Sequence, residues 1–343
     1  MSPTQVVTIH QAASLLKHHQ EDIKRLSRTN VWKSLWAIFF NWSIIIFMIW
    51  LSVETSEPVV WIVSFVIITA RQHALLIIMH DAAHGRLVKG QKYNDLLSNI
   101  FCTWPIFIET ATYRDNHLAH HKNFNTADDP DYMRKKILPQ LWDFPMSKKR
   151  FIKILTLDLL GRGLLFTLSA VLHLSKPTKK SAKSEKAKSG GNRMMWFKAA
   201  YYVVFFSLIT YFGLWVPVLL LWYLPLFTLF PVIFRLRSIV EHFAIEKGEG
   251  EVGLSRNLNA PMWERFLLCP HNIGLHLDHH VYTSIPFYNL KKFHEILLKD
   301  PVYQSFAREK EFKGFFGLSK GYVLFDIFRY GKPVEQLQIP KTA

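Results

Sequence analysis

Residues 199–234 read AAYYVVFFSLITYFGLWVPVLLLWYLPLFTLFPVIF, thirty-six consecutive positions without one charged side chain. As a single helix this stretch would run ~54 Å at about 1.5 Å per residue, far beyond a hydrocarbon core roughly 30 Å thick. Two crossings, near 199–215 and 217–234 with a tight turn around 213–217, fit it better. Working outward, residues 36–53 form another uncharged run, interrupted only by Asn41, Ser43 and Ser52. After an acidic turn with Glu54 and Glu57, residues 59–79 make a further span, broken late by Arg71, Gln72 and His73. The expected fold is all-α and integral to a membrane. Four transmembrane helices in two hairpins make a single domain, 1–343, with a helical cap on the cytosolic side.

Composition agrees. The chain has 343 residues, 50% hydrophobic and 20% charged, too apolar for disorder, and its apolar residues lie in long blocks with the charges between them. Two cysteines, Cys102 and Cys269, make neither a disulfide framework nor a CxxC motif. The first 30 residues are polar, so no signal peptide is expected. Lys+Arg minus Asp+Glu is 42 − 26 = +16. Beside membrane-length blocks, anionic lipid headgroups are a simpler partner for that charge than nucleic acid.

Lysine and arginine set the orientation. They fill the N-terminal arm (Lys17, Lys24, Arg25, Arg28, Lys33), the 80–198 segment and the tail beyond Arg235, and are absent from the two loops on the other side. Both termini and the large central segment are therefore expected in the cytosol. Residues 151–174 are apolar but carry Lys153, Asp158 and Arg162, with Gly161 and Gly163 at the middle, so they are read as lying in the headgroup layer rather than crossing. Residues 175–193, with seven Lys/Arg against one Glu, read as a flexible basic linker, touching anionic lipid or simply solvated.

Sixteen histidines are present, and half fall into three clusters. His80 and His84 form H-D-A-A-H; His117, His120 and His121 form H-L-A-H-H; His276, His279 and His280 form H-L-D-H-H. Spacings of three and four bring imidazoles onto one helix face, and neutral imidazole suits first-row transition metals. A single i, i+4 pair is usually accidental; three clusters are not easily so. With four spans all three emerge on one side of the membrane. Eight clustered histidines exceed what one zinc needs, so two metals sharing the set is the natural arithmetic. His242, in S-I-V-E-H after the last span, is a ninth candidate on the same side. Asp81, Asp115, Asp128, Asp131, Glu241 and Asp278 stand near enough in sequence to orient the rings, although each reads equally as a surface acid and D-D-P-D also reads as a turn.

The sequence resembles the membrane fatty acid desaturase superfamily of acyl desaturases, related hydroxylases and carotenoid ketolases. The resemblance runs from about residue 36 to about 297. It rests on R-Q-H-A-L-L-I-I-M-H-D-A-A-H-G, R-D-N-H-L-A-H-H-K-N-F-N-T-A-D-D-P-D-Y and N-I-G-L-H-L-D-H-H. It implies a di-iron centre held by His80, His84, His117, His120, His121, His242, His276, His279 and His280, above an acyl tunnel. It further implies dioxygen as co-substrate, a separate ferredoxin- or cytochrome-type electron donor, a membrane lipid or acyl substrate, and for a bacterial-type member the inner membrane. Three residues separate the first-box histidines where animal acyl-CoA desaturases have four, and Ser238 stands where those have asparagine; both argue against that subgroup. No H-P-G-G haem motif is present, and the third box begins with His276 rather than glutamine, against a front-end desaturase.

The expected activity is oxygen-dependent insertion of a double bond into a lipid acyl chain. The rival enzyme reading is a di-iron hydroxylase or ketolase acting on a carotenoid or other lipid. A metal transporter is disfavoured, because the third and fourth spans carry no ionisable group near mid-membrane. Of the other histidines, His10, His18, His19 and His173 read as solvated or interfacial. Arg71 and His73 read as snorkelling or as contacts to the site or headgroups. Asn272, just after His271, reads as an outer hydrogen-bond partner of the metal ligands, and residues 101–112 as either tunnel lining or scaffold. No role attaches to His294.

Overall fold

The computed structural model describes residues 19–162, 191–245, 255–307 and 310–329. Helix α1 (Gln20–Leu26) precedes two long helices, α2 (Val31–Thr55) and α3 (Pro58–Ala83). Then come α4 (Gln91–Ser98), a π-helical segment Asn99–Thr103 with a 3-10 turn Trp104–Ile106, α5 (Thr110–Lys122), α6 (Pro130–Lys136) and α7 (Lys148–Leu159). The second long pair is α8 (Gly191–Tyr211) and α9 (Trp215–His242). Beyond it lie β1 (Asn257–Leu258), α10 (Met262–Leu267), α11 (His276–Val281), α12 (Phe287–Leu297), α13 (Pro301–Ala307), β2 (Glu311–Phe312) and α14 (Val323–Arg329).

Helices α2, α3, α8 and α9 are long and apolar enough to cross a membrane. Each hairpin has a local cause. Asn30 caps α2 by accepting from the Lys33 N–H at 3.2 Å, and Ser56 ends it in the left-handed region (φ 54°). Pro58 then occupies the first turn of α3, where its missing N–H costs nothing. Between α8 and α9 the reversal falls at Gly213, whose φ of 65° favours glycine. The helices run longer than the apolar runs, because α3 and α9 continue past their hydrophobic stretches to carry histidines out of the span.

From Ile68 to Ala83 helix α3 is buried on nearly every side, so it is the central post. Helix α2 packs one stripe on it (Ala37, Asn41, Ile45, Met48, Ser52), and the Ser52 and Ser64 hydroxyls meet at 2.8 Å. The outer faces of the spans stay apolar and uncovered, with Trp36 65%, Ile46 62% and Val203 66% exposed, as lipid-facing surface requires. Within α9, Val218–Tyr223 widens into a π-helical turn between Pro217 and Pro225, and the helix breaks at Thr228 (φ −124°, ψ −85°). The carbonyl of Trp222 accepts from Gln72 Nε2 at 2.5 Å, while its indole stacks on Trp42 and donates to the Pro105 carbonyl at 3.1 Å. Residues 99–109 are thus mainly scaffold: Trp104 is wholly buried, and the Tyr202 hydroxyl and Trp222 indole close on their backbone.

The remaining elements form the cap at the end of the bundle reached by α3 and α9. One of its cores joins the end of α9 to α14 through Ile239, Val240, Phe315, Val323 and Ile327; another joins α1 to α11–α13 through Ile23, Leu277, Phe293, Leu297 and Tyr303. The only strands among the described residues are the two-residue parallel pair β1–β2. Helix α7 lies against α9, where Asp158 accepts from Arg235 Nε at 2.5 Å. Residues 163–174 of the headgroup-layer segment and 175–190 of the basic linker lie outside the described residues, as do His10, His18 and His173; residues 191–193 begin α8.

Both partners of the Asp158–Arg235 pair are at least nine-tenths buried as side chains. Asp158→Asn leaves Arg235 charged without its counter-ion, which costs roughly 3–5 kcal/mol for a buried pair. The unfolding temperature of the purified protein in detergent is expected to drop clearly, and an Asp158→Asn/Arg235→Met double variant to recover part of it. Equal stability of the wild type and the single variant would contradict the pair's role.

Candidate metal centre

Four helices deliver the clustered histidines to one place. His80 sits on the last turn of α3, and His84 caps it just before Gly85 turns the chain at φ 70°. His117, His120 and His121 lie on α5, His242 ends α9, and His276, His279 and His280 lie on the single short helix α11. The nine rings divide into two neighbouring groups. His80, His84, His117, His121 and His279 hold ligand nitrogens within 4.8 Å of one another; His120, His242 and His280 form a second set at the same reach, and His276 joins it through His242.

The contacts run Nε2 to Nε2. His117 stands 2.9 Å from His84 and 3.0 Å from His121, which stands 3.2 Å from His279. His276 stands 3.0 Å from His242 and 3.2 Å from His280. A neutral imidazole carries one proton and one lone pair, and an Nε2 with two Nε2 neighbours cannot satisfy both by hydrogen bonding. Among the described residues His80, wholly buried, has a hydrogen-bond partner on neither ring nitrogen. Burial first, and then the neighbouring rings, hold His117, His121, His276, His279 and His280 well below the usual histidine pKa; burial with Arg86 and Arg114 takes His84 to about 3. The lone pairs of uncharged imidazoles converging with a single carboxylate, Glu241, beside His242 and His276 fit first-row transition metals. Nine such donors fit two ions rather than one.

Acids orient the rings from outside. Asp129 is wholly buried, accepts from His120 Nδ1 at 2.8 Å and caps α6 through the N–H groups of Asp131 and Tyr132. Glu241 lies 3.5 Å from His276 Nδ1 and accepts from Arg237 Nε at 2.6 Å; Asp81 lies 3.6 Å from His80 Nδ1 and accepts from the Phe287 N–H at 2.7 Å. Asp278 anchors α11 by accepting from His294 Nδ1 at 2.7 Å, from Asn257 Nδ2 at 2.9 Å and from the Tyr303 hydroxyl. Burial lowers His294, but the hydrogen bond and charge of Asp278 raise it overall.

The sequence pointed elsewhere at several of these positions. Asp131 is paired with Lys135 at 2.6 Å, and Asp128 is exposed in the turn before α6. Asn272 touches no clustered histidine: its side chain donates to the Phe287 carbonyl and accepts from Arg265. Arg71 does not snorkel. It is 3% exposed, lies 3.7 Å over the Phe266 ring and bonds Asn41 and the Phe266 carbonyl. Asp129, Asn257, Tyr303 and His294 were missed. Only Asp129 carried a local signal, as the residue before Pro130 in the aspartate-rich turn.

A cavity of about 460 Å³ opens beside both groups and reaches His117, His120, His242 and His276. Exposed Leu138, Gln140 and Arg162 mark its mouth, joined by Arg134; Lys135 and Arg235 line it as buried cations paired with Asp131 and Asp158, and buried Met79 and Ile108, with Leu76, Phe230 and Phe234, give it an apolar interior. Tyr113 also lines it, its ring stacked 5.2 Å from His117. The volume falls in the ~300–1,000 Å³ range of small-molecule sites.

The low pKa of His84 makes stability pH-dependent in the metal-free protein. The unfolded imidazole takes up a proton near 6.5, the folded one only near 3. Between those values the unfolded state binds more protons, so stability falls as pH falls through that window. The unfolding temperature of metal-free protein is expected to decline from about pH 7 to about pH 4; a flat profile would speak against a buried, neutral cluster.

The sequence is similar to those of known proteins. A family model described as Fatty acid desaturase matches residues 56–309. A dihydrorhizobitoxine desaturase of Bradyrhizobium elkanii is 28% identical over 247 residues, covering 70% of this chain and 68% of that protein. An sn-1 acyl-lipid omega-3 desaturase (ferredoxin) of a Nostoc species is 24% identical, over 69% of this chain and 67% of its own. A beta-carotene ketolase of a Paracoccus species is 30% identical, but over 24% of this chain and 35% of that protein.

Proposed function

The chain belongs to the fatty acid desaturase family, and from that premise we propose that it is an oxygen-dependent desaturase that inserts a double bond into a lipid acyl chain at a di-iron centre. The observation that carries this reading is the meeting of nine imidazoles, seven of them buried and His84 and His121 half-buried, in two adjoining groups beside an amphipathic cavity. In it, His80, His84, His117, His121 and His279 hold one iron and His120, His242, His276 and His280 the other. Bound iron would supply the oxidation, in which dioxygen takes two hydrogens from an unactivated methylene pair together with two electrons from a separate donor and two protons, and leaves as two waters.

The chain's own residues do the rest. Asp129 fixes His120 with its proton on Nδ1, leaving the Nε2 lone pair facing inward. Glu241 stands 3.5 Å from His276 Nδ1 and is held by Arg237, and Asp278 fixes α11 through His294 rather than through a clustered ring. The interior of Leu76, Met79, Ile108, Phe230 and Phe234 takes an alkyl chain and keeps water from the reacting carbon. Cations at the mouth, Arg134 and Arg162, suit a polar or anionic headgroup. The cluster and both termini face the cytosol of a bacterial inner membrane, following the lysine and arginine bias. Electrons come from a separate acidic ferredoxin or cytochrome, steered by the +16 charge of the chain; the name of the Nostoc relative supports a ferredoxin. Hydroxylation or ketolation of a carotenoid is the second reading, supported by likeness to ketolases over about a quarter of the chain.

Two measurements test this. A bacterial host expressing the protein is expected to accumulate acyl chains with a new double bond, seen by mass spectrometry of its lipids and absent with His276→Ala. Hydroxy- or keto-products would favour the second reading, and an unchanged profile from iron-loaded protein would count against acyl lipid as substrate. Asp129→Asn preserves the helix cap but removes the charged acceptor of His120. It is expected to weaken one of two irons about 10- to 100-fold, read as a fall in iron per protein from near two toward one after dialysis against a chelator, with little change in unfolding temperature.

A further inference from the structure

His73, Leu76 and His80 are spaced by three and four on α3 and so share one face of it. His80 belongs to the five-imidazole group. His73 lies two turns back, ~10 Å along the helix axis at about 1.5 Å per residue. It is 0% exposed, lines the cavity, and among the described residues neither ring nitrogen has a hydrogen-bond partner. The Phe230 ring meets it edge-on at 6.4 Å and Leu76, Met79 and Phe234 share its wall, while Arg237, Arg71 and His271 act on it electrostatically without hydrogen-bonding it. The Leu267 carbonyl faces one nitrogen outside hydrogen-bonding geometry, so the chain answers at most that one.

A purely hydrocarbon tail does not call for an imidazole here. A leucine would line this wall without cost, whereas a buried polar group left unanswered carries a desolvation penalty. With its N–H turned toward Leu267, the ring offers the cavity a lone pair. We infer that the substrate chain carries a hydrogen-bond donor, an O–H or N–H, where it passes His73, and that the free imidazole nitrogen accepts it. His73 is then a specificity-determining residue selecting a chain functionalised about 10 Å from the carbon presented to the metal cluster. This rests on the acyl-chain reading above, since it takes the cavity as the substrate's.

The test is competition binding. Radiolabelled dodecanoate is bound to the purified full-length protein in nanodiscs and displaced by unlabelled dodecanoate, or by dodecanoates hydroxylated at the eighth, tenth or twelfth carbon. On the wild type one hydroxyl position is expected to compete about tenfold better than dodecanoate, the worth of one buried hydrogen bond. His73→Leu is expected to erase that gain while still binding dodecanoate, which also shows that the variant is folded. His73→Gln, which keeps an acceptor, is expected to retain part of the gain. Hydroxylated chains no better than dodecanoate at every position, or a gain that survives His73→Leu, would overturn the inference and leave the acyl-chain reading standing, with water as the partner of His73. Absence of saturable dodecanoate binding would overturn both.

Discussion

Neutral imidazoles whose Nε2 atoms stand about 3 Å apart cannot all be satisfied by one another, because each has one proton to give and one lone pair to place. Without metal, such a nest persists only if the surrounding structure holds it. The cap supplies that frame. Helices α3 and α9 bring His80 and His242 up from the spans, α5 brings three rings across the top, and the six-residue α11 brings three more. A helix that short has little stability of its own. Its place comes from Asp278 at its centre, tied to His294, Asn257 and Tyr303 on three different elements, and from Leu277 in the core beneath.

The cavity extends the same logic downward. Because α3 is buried nearly all round over its second half, one face can carry metal-ligating residues while an adjacent one lines a pocket. The lining passes from charged side chains at the mouth to aliphatic and aromatic ones inside, so one amphipathic molecule can satisfy both regions while lying against the imidazoles.

Much of this was legible in the chain as written. Uncharged runs of membrane length and three histidine clusters at helical spacing depend only on local sequence, and the helices and the two imidazole groups lie where those patterns put them. His242 was found from position alone, because four spans leave the end of the last on the side of the clusters. What escaped was the outer layer. Asn257, Tyr303 and His294 reach Asp278 across 21, 25 and 16 residues, and no periodicity links such partners. Asn272 misled for the complementary reason: it is near the third cluster in sequence, but the positive φ of both His271 and Asn272 turns the chain there and sends its side chain to Phe287. The span ends ran past the apolar runs because burial in the cap, rather than lipid, sustains the last turns of α3 and α9.

The widened turn of α9 has a consequence for how the two halves of the nest are aligned. At the π-helical stretch the Trp222 carbonyl accepts from the side-chain amide of Gln72 on α3. The bond fixes the height of α9 against α3 from deep inside the bundle, eight residues below His80 and twenty below His242. A slip of one turn at that point would offset the two histidines by about 5.4 Å, more than the span of either ligand group. A single amide between two long helices thus acts as the vernier that keeps the two imidazole groups at one level.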